Sequence, residues 1–175
     1  MPRIAYAEPG QEARDATAVY DQLKEDMGIV PNLAKLLGHS GPATRGMGAL
    51  LETYFKQLSL EPKIREIAYL TAARFNECGY CQGHHEPLAK KTGLTEGQIN
   101  QLDESGFDSP DFNDAEKAVI RFAFETSRDV KASEPAVEDL KRHYSLTQIA
   151  EIAFVVAMAN FVQRIGKNFG AELEQ

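Results

Sequence analysis

The chain has few cysteines, no excess of positive charge, no long apolar run and no alternating strand pattern. Only two cysteines occur in 175 residues, both inside the stretch "ECGYCQGHH" from Glu77 to His85, so there is one close pair and no framework of disulfides. A net charge of −7 argues against a general nucleic-acid or anionic-membrane partner, and no basic cluster breaks that balance. The longest apolar run, Ile152 to Ala159 with Phe161 and Val162 beyond, falls short of the about 20 residues needed to span a bilayer. The opening "MPRIAYAEPGQEARD" has no apolar signal core and carries a proline directly after Met1, so a cytoplasmic location is expected. In a reducing compartment a close cysteine pair reads as catalytic, redox-sensing or metal-binding sooner than as a structural disulfide.

What is present is helical periodicity along nearly the whole chain. Residues Ala13 to Met27 form an amphipathic segment with Val19, Tyr20, Leu23 and Met27 on one side and Gly28 as its stop. "VPNLAKLLGH" and "GPATRGMGALLETYFKQLSL" give a second and a third helix. Pro62 suits the first turn of a fourth, running to about Phe75. The cysteine stretch begins a fifth, ending near Gly93. Thr95 with Gln98, and Asn113 with Glu116, have capping-box spacing for a sixth helix and a long seventh. Ser133 and Pro135 open an eighth, and Thr147 is a plausible cap for a ninth that reaches Phe169 and stops at Gly170. "IAFVVAMANFV" is apolar and partly β-branched, but its length and helical flanks read as a buried helix. The expectation is an all-α, single-domain helical bundle, with residues 1–30 as an N-terminal helical extension and 31–175 as the main domain. Laid on itself with an offset of 85, the chain sets "IREIAYLTA" against "IAEIAFVVA", with Gln163 and Gly166 facing Cys78 and Cys81. Either two buried helices look alike by chance, or a helical unit is duplicated with its chemistry in one half.

At about 100° per residue, Cys78, Cys81 and His85 share one helix face, while His84 points about 100° away from His85. Cys81 and His85 are an i, i+4 pair, so the imidazole can accept the thiol proton. Both cysteines fall in the first turn, where the helix dipole and unpaired N–H groups favour a thiolate. Cysteine with its ordinary pKa of about 8.5 is mostly protonated at neutral pH, so this placement matters for reactivity. Glu66 lies on the helix that precedes an expected break near Asn76 and can face the Cys/His side, orienting His85 in the manner of a triad. On spacing alone it reads sooner as an exposed carboxylate or a partner of Lys63 or Arg65. A zinc site would take Cys78, Cys81 and His85 with Glu66, but ligands this close on one helix make a poor tetrahedral cage. No βαβ pattern surrounds the CxxC, which disfavours a thioredoxin-type site. His39 and His143 sit at expected helix ends, Tyr80 reads as pocket lining or core, and Asn160 and Arg164 form a polar i, i+4 pair in an apolar helix.

"REIAYLTAARFNECGYCQGHH" resembles the core motif of the alkyl hydroperoxidase D branch of the carboxymuconolactone decarboxylase superfamily. That motif is a Glu, a CxxC twelve residues on, and a His four residues after the second Cys, here Glu66, Cys78, Cys81 and His85. "LTQIAEIAFVVAMANFVQRIGKNFG" is similar to the terminal helix of the peroxidase-related members, so the resemblance runs from about Pro31 onward. It implies an all-α fold, a homo-oligomer (trimer or hexamer) and a thiol-dependent peroxidase that uses no cofactor or metal. Its partners would be a small hydroperoxide and a dithiol or lipoyl-type reductant, with no nucleic acid and no membrane. Cys81 is then peroxidatic, Cys78 resolving, and Glu66 and His85 the proton relay, with the reverse cysteine assignment open. Tyr80, His84 and Asn160 are pocket or relay candidates. Tyr80 departs from the best-known hydroperoxidase, which has a His directly before the second Cys. Lactone decarboxylation, a property of a branch without this cysteine pair, is not implied. A redox sensor, a general disulfide reductase and a metal-binding helical protein are the alternatives.

Overall fold

The computed structural model describes residues 1–174 and is helical throughout, with no strand among the described residues. The α-helices are α1 (Thr17–Met27), α2 (Asn32–Leu37), α3 (Gly41–Glu52), α4 (Pro62–Phe75), α5 (Gly79–Lys91), α6 (Glu96–Asn100), α7 (Asp114–Asp129), α8 (Glu134–His143) and α9 (Leu146–Phe169). A π-helical turn at Thr53–Gln57 prolongs α3, and a 3-10 turn at Glu104–Gly106 precedes α7. The chain divides into two compact units, one of residues 1–58 with those from Arg164 on, the other Ser59–Gln163.

In the first unit α1 and α2 pack on α3. Ser40 caps α3 by accepting the Ala43 N–H, and Gly28, in the left-handed region at φ 77°, closes α1. The first helix starts at Thr17, not at Ala13. The apolar spacing does run back to Ala13, but tertiary bonds hold that segment in turns. Glu12 accepts from the Gly10 N–H at 2.6 Å and the Thr17 hydroxyl at 2.9 Å, while the Ala13 N–H donates to the Gly38 carbonyl at 2.8 Å. Asp15 pairs with Arg45 at 2.8 Å. The buried Tyr20 hydroxyl donates to the Ala7 carbonyl at 2.8 Å, and burial pushes its phenol up to about 12. Gly38 lies so close under that ring that a Cβ there would collide with the hydroxyl.

In the second unit α4 packs against both α5 and α7, and α7 against α8. Ile67, Ala68, Leu70, Ala72 and Ala73 of α4 are fully buried, as are Ala118, Val119, Ile120 and Ala123 of α7. The alanines let the helix backbones approach, and each large aliphatic side chain removed from water contributes about 1.5–3 kcal/mol. Both expected capping boxes, Thr95 with Gln98 and Asn113 with Glu116, are formed. α9 begins one residue before Thr147. Ser145 and Gln148 cap it reciprocally, the Ser145 N–H donating to Gln148 Oε1 at 2.9 Å and the Gln148 N–H to Ser145 Oγ at 3.3 Å. The Ser-x-x-Gln spacing decides between the two hydroxyls, because Thr147 lies already inside the first turn. α9 is long and apolar enough to cross a bilayer by length and composition. Here Ile152, Val155, Val156, Ala159 and Val162 are buried within the protein.

α7 ends on Val130, a β-branched residue held at φ 68° with 86% of its surface exposed. The left-handed conformation costs a non-glycine residue about 1–2 kcal/mol, and an exposed side chain returns little in packing. Val130→Gly should therefore stabilise the protein by about 1 kcal/mol after the entropy cost of glycine, raising Tm by about 2–4 °C. A thermal melt that shows no rise, or a fall, would remove this strain from the account.

Candidate thiol site

The site is built on the turn between α4 and α5. α4 ends at Asn76, and Glu77 follows in the left-handed region at φ 51°. The Glu77 N–H donates to the Arg74 carbonyl and the Cys78 N–H to the Ala73 carbonyl, both at 2.9 Å. These two bonds form the Schellman closure, with Glu77 where glycine is usual. Cys78 is also the N-cap of α5, and its sulfur accepts the Cys81 N–H at 3.4 Å. One residue thus finishes one helix and opens the next. Cys78 and Cys81 are joined as a disulfide with their Cα atoms 5.3 Å apart, and both are buried. Once the pair is reduced, the same N–H and the positive end of the α5 dipole favour a thiolate at this turn.

His85 lies one turn beyond Cys81, and α4 meets it from the side. The Glu66 carboxylate lies 2.8 Å from His85 Nδ1, with both groups buried. With Nδ1–H donating to the carboxylate, Nε2 is the nitrogen that carries the lone pair. A buried carboxylate requires such a partner. Lys63, considered above as an alternative partner for Glu66, pairs instead with Glu116 at 2.6 Å. Tyr69, one turn along α4 from Glu66, stacks on the His85 ring with centroids 3.5 Å apart and planes inclined by 16°. Burial, reinforced by the negative charge of Glu66, holds the Tyr69 phenol well above its ordinary value.

The other candidates lie around this centre. Tyr80 meets His84 edge to face at 4.6 Å, and both rings are half-buried. Asn160 belongs to a polar chain that reaches the turn. It donates to Ser127 Oγ at 3.0 Å and to the Val156 carbonyl at 2.9 Å, and accepts from Asn76 Nδ2 at 3.0 Å. The Gln163 amide, almost fully buried, lies 2.6 Å from Asn76 Nδ2 and 3.2 Å from both the Ala72 carbonyl and the Ala73 N–H. Asn76, Gln163 and Tyr69 were not singled out by sequence reasoning. The available signal for Gln163 was a polar residue inside the apolar α9 run, facing Cys78 in the self-alignment. His143 is the last residue of α8, while His39 reaches the Ala5 carbonyl at 2.8 Å. Among the described residues no group of three His, Cys, Asp or Glu side chains is arranged to hold a metal ion.

Removing the acceptor from a buried ring nitrogen is costly. Glu66→Ala should destabilise the oxidised protein by about 1–3 kcal/mol, with Glu66→Gln, which keeps an acceptor oxygen, losing less. Urea titration of the two variants checks the order, and equal losses would mean that the hydrogen bond to His85 contributes nothing specific.

Residues 43–123 match the carboxymuconolactone decarboxylase family. The uncharacterized protein YdfG of Bacillus subtilis (strain 168) is 26% identical over 135 residues, covering 73% of this chain and 89% of its own. Among solved structures, the alkylhydroperoxidase AhpD core of a peroxidase-related protein from Ralstonia eutropha JMP134 superposes with a TM-score of 0.83 at 19% identity, over 99% of this chain and 93% of that one. A variant of the debrominase Bmp8, solved in complex with 2,3,4-tribromopyrrole, superposes with a TM-score of 0.76 at 21% identity, over 93% of this chain and 87% of that one. The all-α, alkyl hydroperoxidase D-like fold expected from the sequence is the fold of this chain.

Proposed function

We propose that this chain is a member of the alkyl hydroperoxidase D-like branch of the carboxymuconolactone decarboxylase superfamily, as its family match and fold support, and that it is a thiol-dependent peroxidase that reduces hydroperoxides through Cys78 and Cys81. The observation that carries this reading is the Cys78–Cys81 disulfide seated at the α5 N-terminus, with the buried Glu66–His85 pair one turn behind it. In the reduced protein His85 Nε2 takes the Cys81 proton. The Cys81 thiolate attacks the hydroperoxide, so that an S–O bond forms and the O–O bond breaks. The leaving alkoxide takes the proton back from His85 and departs as an alcohol. The Cys78 sulfur then attacks the sulfenic acid, an S–S bond replaces the S–O bond, and the Cys78 proton leaves with the hydroxyl as water. A dithiol reductant, of lipoyl type, returns two electrons and two protons.

Glu66 holds the imidazole in the tautomer that accepts the proton and stabilises the imidazolium that follows. Tyr80 stands where the best-known hydroperoxidase has a His, and a phenol, with an ordinary pKa of about 10, is a poor base at neutral pH. The relay therefore rests on His85. Cys78, whose sulfur receives the helix N–H, is the better leaving thiolate when the reductant attacks Cys81. We place this chemistry in the cytoplasm and in a homo-oligomer. The likeness to Bmp8 favours a second reading on the same dithiol, in which two thiols reduce a carbon–bromine bond, leaving C–H, bromide, a proton and the disulfide.

The deciding experiment is hydroperoxide turnover with a panel of dithiols that includes dihydrolipoamide, run beside bromide release from 2,3,4-tribromopyrrole. Turnover lost in both Cys78→Ser and Cys81→Ser is expected, and Glu66→Gln should slow it by about 10²-fold. Oxidation of the pair without turnover would instead identify a redox sensor. An unchanged Glu66→Gln rate would remove Glu66 from the mechanism.

A further inference from the structure

The hydrogen bond to Glu66 fixes one nitrogen of His85 but does not by itself set the plane of its ring. The terminal torsion of histidine is broad, and one hydrogen bond alone does not define a ring plane. Glu66 and Tyr69 stand three residues apart on one face of α4, so both reach the same point on α5. Glu66 meets the imidazole edge at 2.8 Å, and the Tyr69 ring lies nearly parallel to its face at 3.5 Å. Tyr69 is 4% and His85 7% exposed, so the stack is formed away from water.

We infer that Tyr69 is a positioning residue for His85, its ring face fixing the plane in which Nε2 presents its lone pair. This rests on the reading of His85 as the base for Cys81. The contribution comes from the ring and not from the hydroxyl, since burial and the charge of Glu66 hold the phenol in its neutral form. The negative face of an aromatic ring also favours a cation above it, which here is the imidazolium formed when His85 accepts the thiol proton. The Tyr80 ring meets His84 edge to face.

The test uses the dithiol-reduced protein, with iodoacetamide as the probe of thiol reactivity and proton NMR as the probe of the ring. In the wild type the carbon-bound protons of the His85 ring should be shifted upfield by the Tyr69 ring current. Tyr69→Phe should keep that shift and alkylate within about twofold of wild type, while Tyr69→Leu should lose the shift and alkylate about tenfold more slowly at neutral pH, the loss of part of what a general base supplies. A Tyr69→Leu protein with wild-type alkylation, or a Tyr69→Phe protein as slow as Tyr69→Leu, overturns the inference. So does a wild-type His85 without the upfield shift, a measurement that needs no variant to fold. Neither readout uses a hydroperoxide, so absent peroxide turnover would count against the peroxidase reading alone.

Discussion

The site depends on a turn without a loop. Cys78 donates its N–H back to Ala73 to close α4 and offers its sulfur forward to the Cys81 N–H to open α5. Only Asn76, Glu77 and Cys78 lie between the two helices, and the closing bonds tie them down. The directions of the α4 and α5 faces are therefore fixed relative to each other by the backbone itself. That is how Glu66, placed 19 residues before His85 in the chain, arrives at hydrogen-bond distance from it. The tightness has a local cost, because Glu77 occupies the left-handed region that disfavours a residue with a Cβ by about 1–2 kcal/mol. The two closing hydrogen bonds, and the Asn76 side chain bonded to Asn160 and Gln163, hold it there.

Burial is the second constraint, and it acts on both components of the site. A carboxylate and an imidazole taken out of water lose hydration that only a well-aligned partner restores. The same loss of solvent strengthens the bond between them. The cysteines share this environment, and burial on its own would hold a thiol protonated. The helix N-terminus supplies the opposing effect through the N–H that points at Cys78 and through its dipole. Reactivity at the pair is a balance between these two, set by residues that are not themselves cysteines.

Much of the fold was legible, because the signals that define it are local. Pro62 opens α4, and two capping boxes open α6 and α7 at the residues their spacing indicates. Cys78, Cys81 and His85 could be placed on one face of α5 for the same reason, since a helix fixes their angles once its start is known. The start of α9 was a local choice between Ser145 and Thr147, but most of what failed was decided by contacts between distant residues. α1 starts late because Glu12, Asp15 and Gly38 hold the preceding turn. Tyr69 read as one more aromatic in an apolar helix, and nothing in its spacing distinguishes a ring on His85 from a ring in the core. On spacing alone Glu66 read sooner as a solvated carboxylate than as a site residue, until the family motif supplied a partner. Spacing within one helix cannot report what the next helix brings to it.

The self-alignment acquires a physical meaning from this turn. The segment facing Phe75 to Cys81 is the part of α9 from Asn160 to Gly166, and α9 runs through it without a break. Where the first copy has Asn76, Glu77 and Cys78, the second has Phe161, Val162 and Gln163. The apolar pair at Phe161 and Val162 continues the helix and its packing, and Val162 is buried. An unbroken helix has every interior N–H bonded within itself, so it has no donor to offer a sulfur and no dipole terminus at that point. A cysteine at position 163 would be a buried thiol and nothing more. Gln163 instead lies against Asn76 and the last turn of α4. The continuous helix thus braces the broken one, and the chemistry can reside only where the break exposes a helix N-terminus.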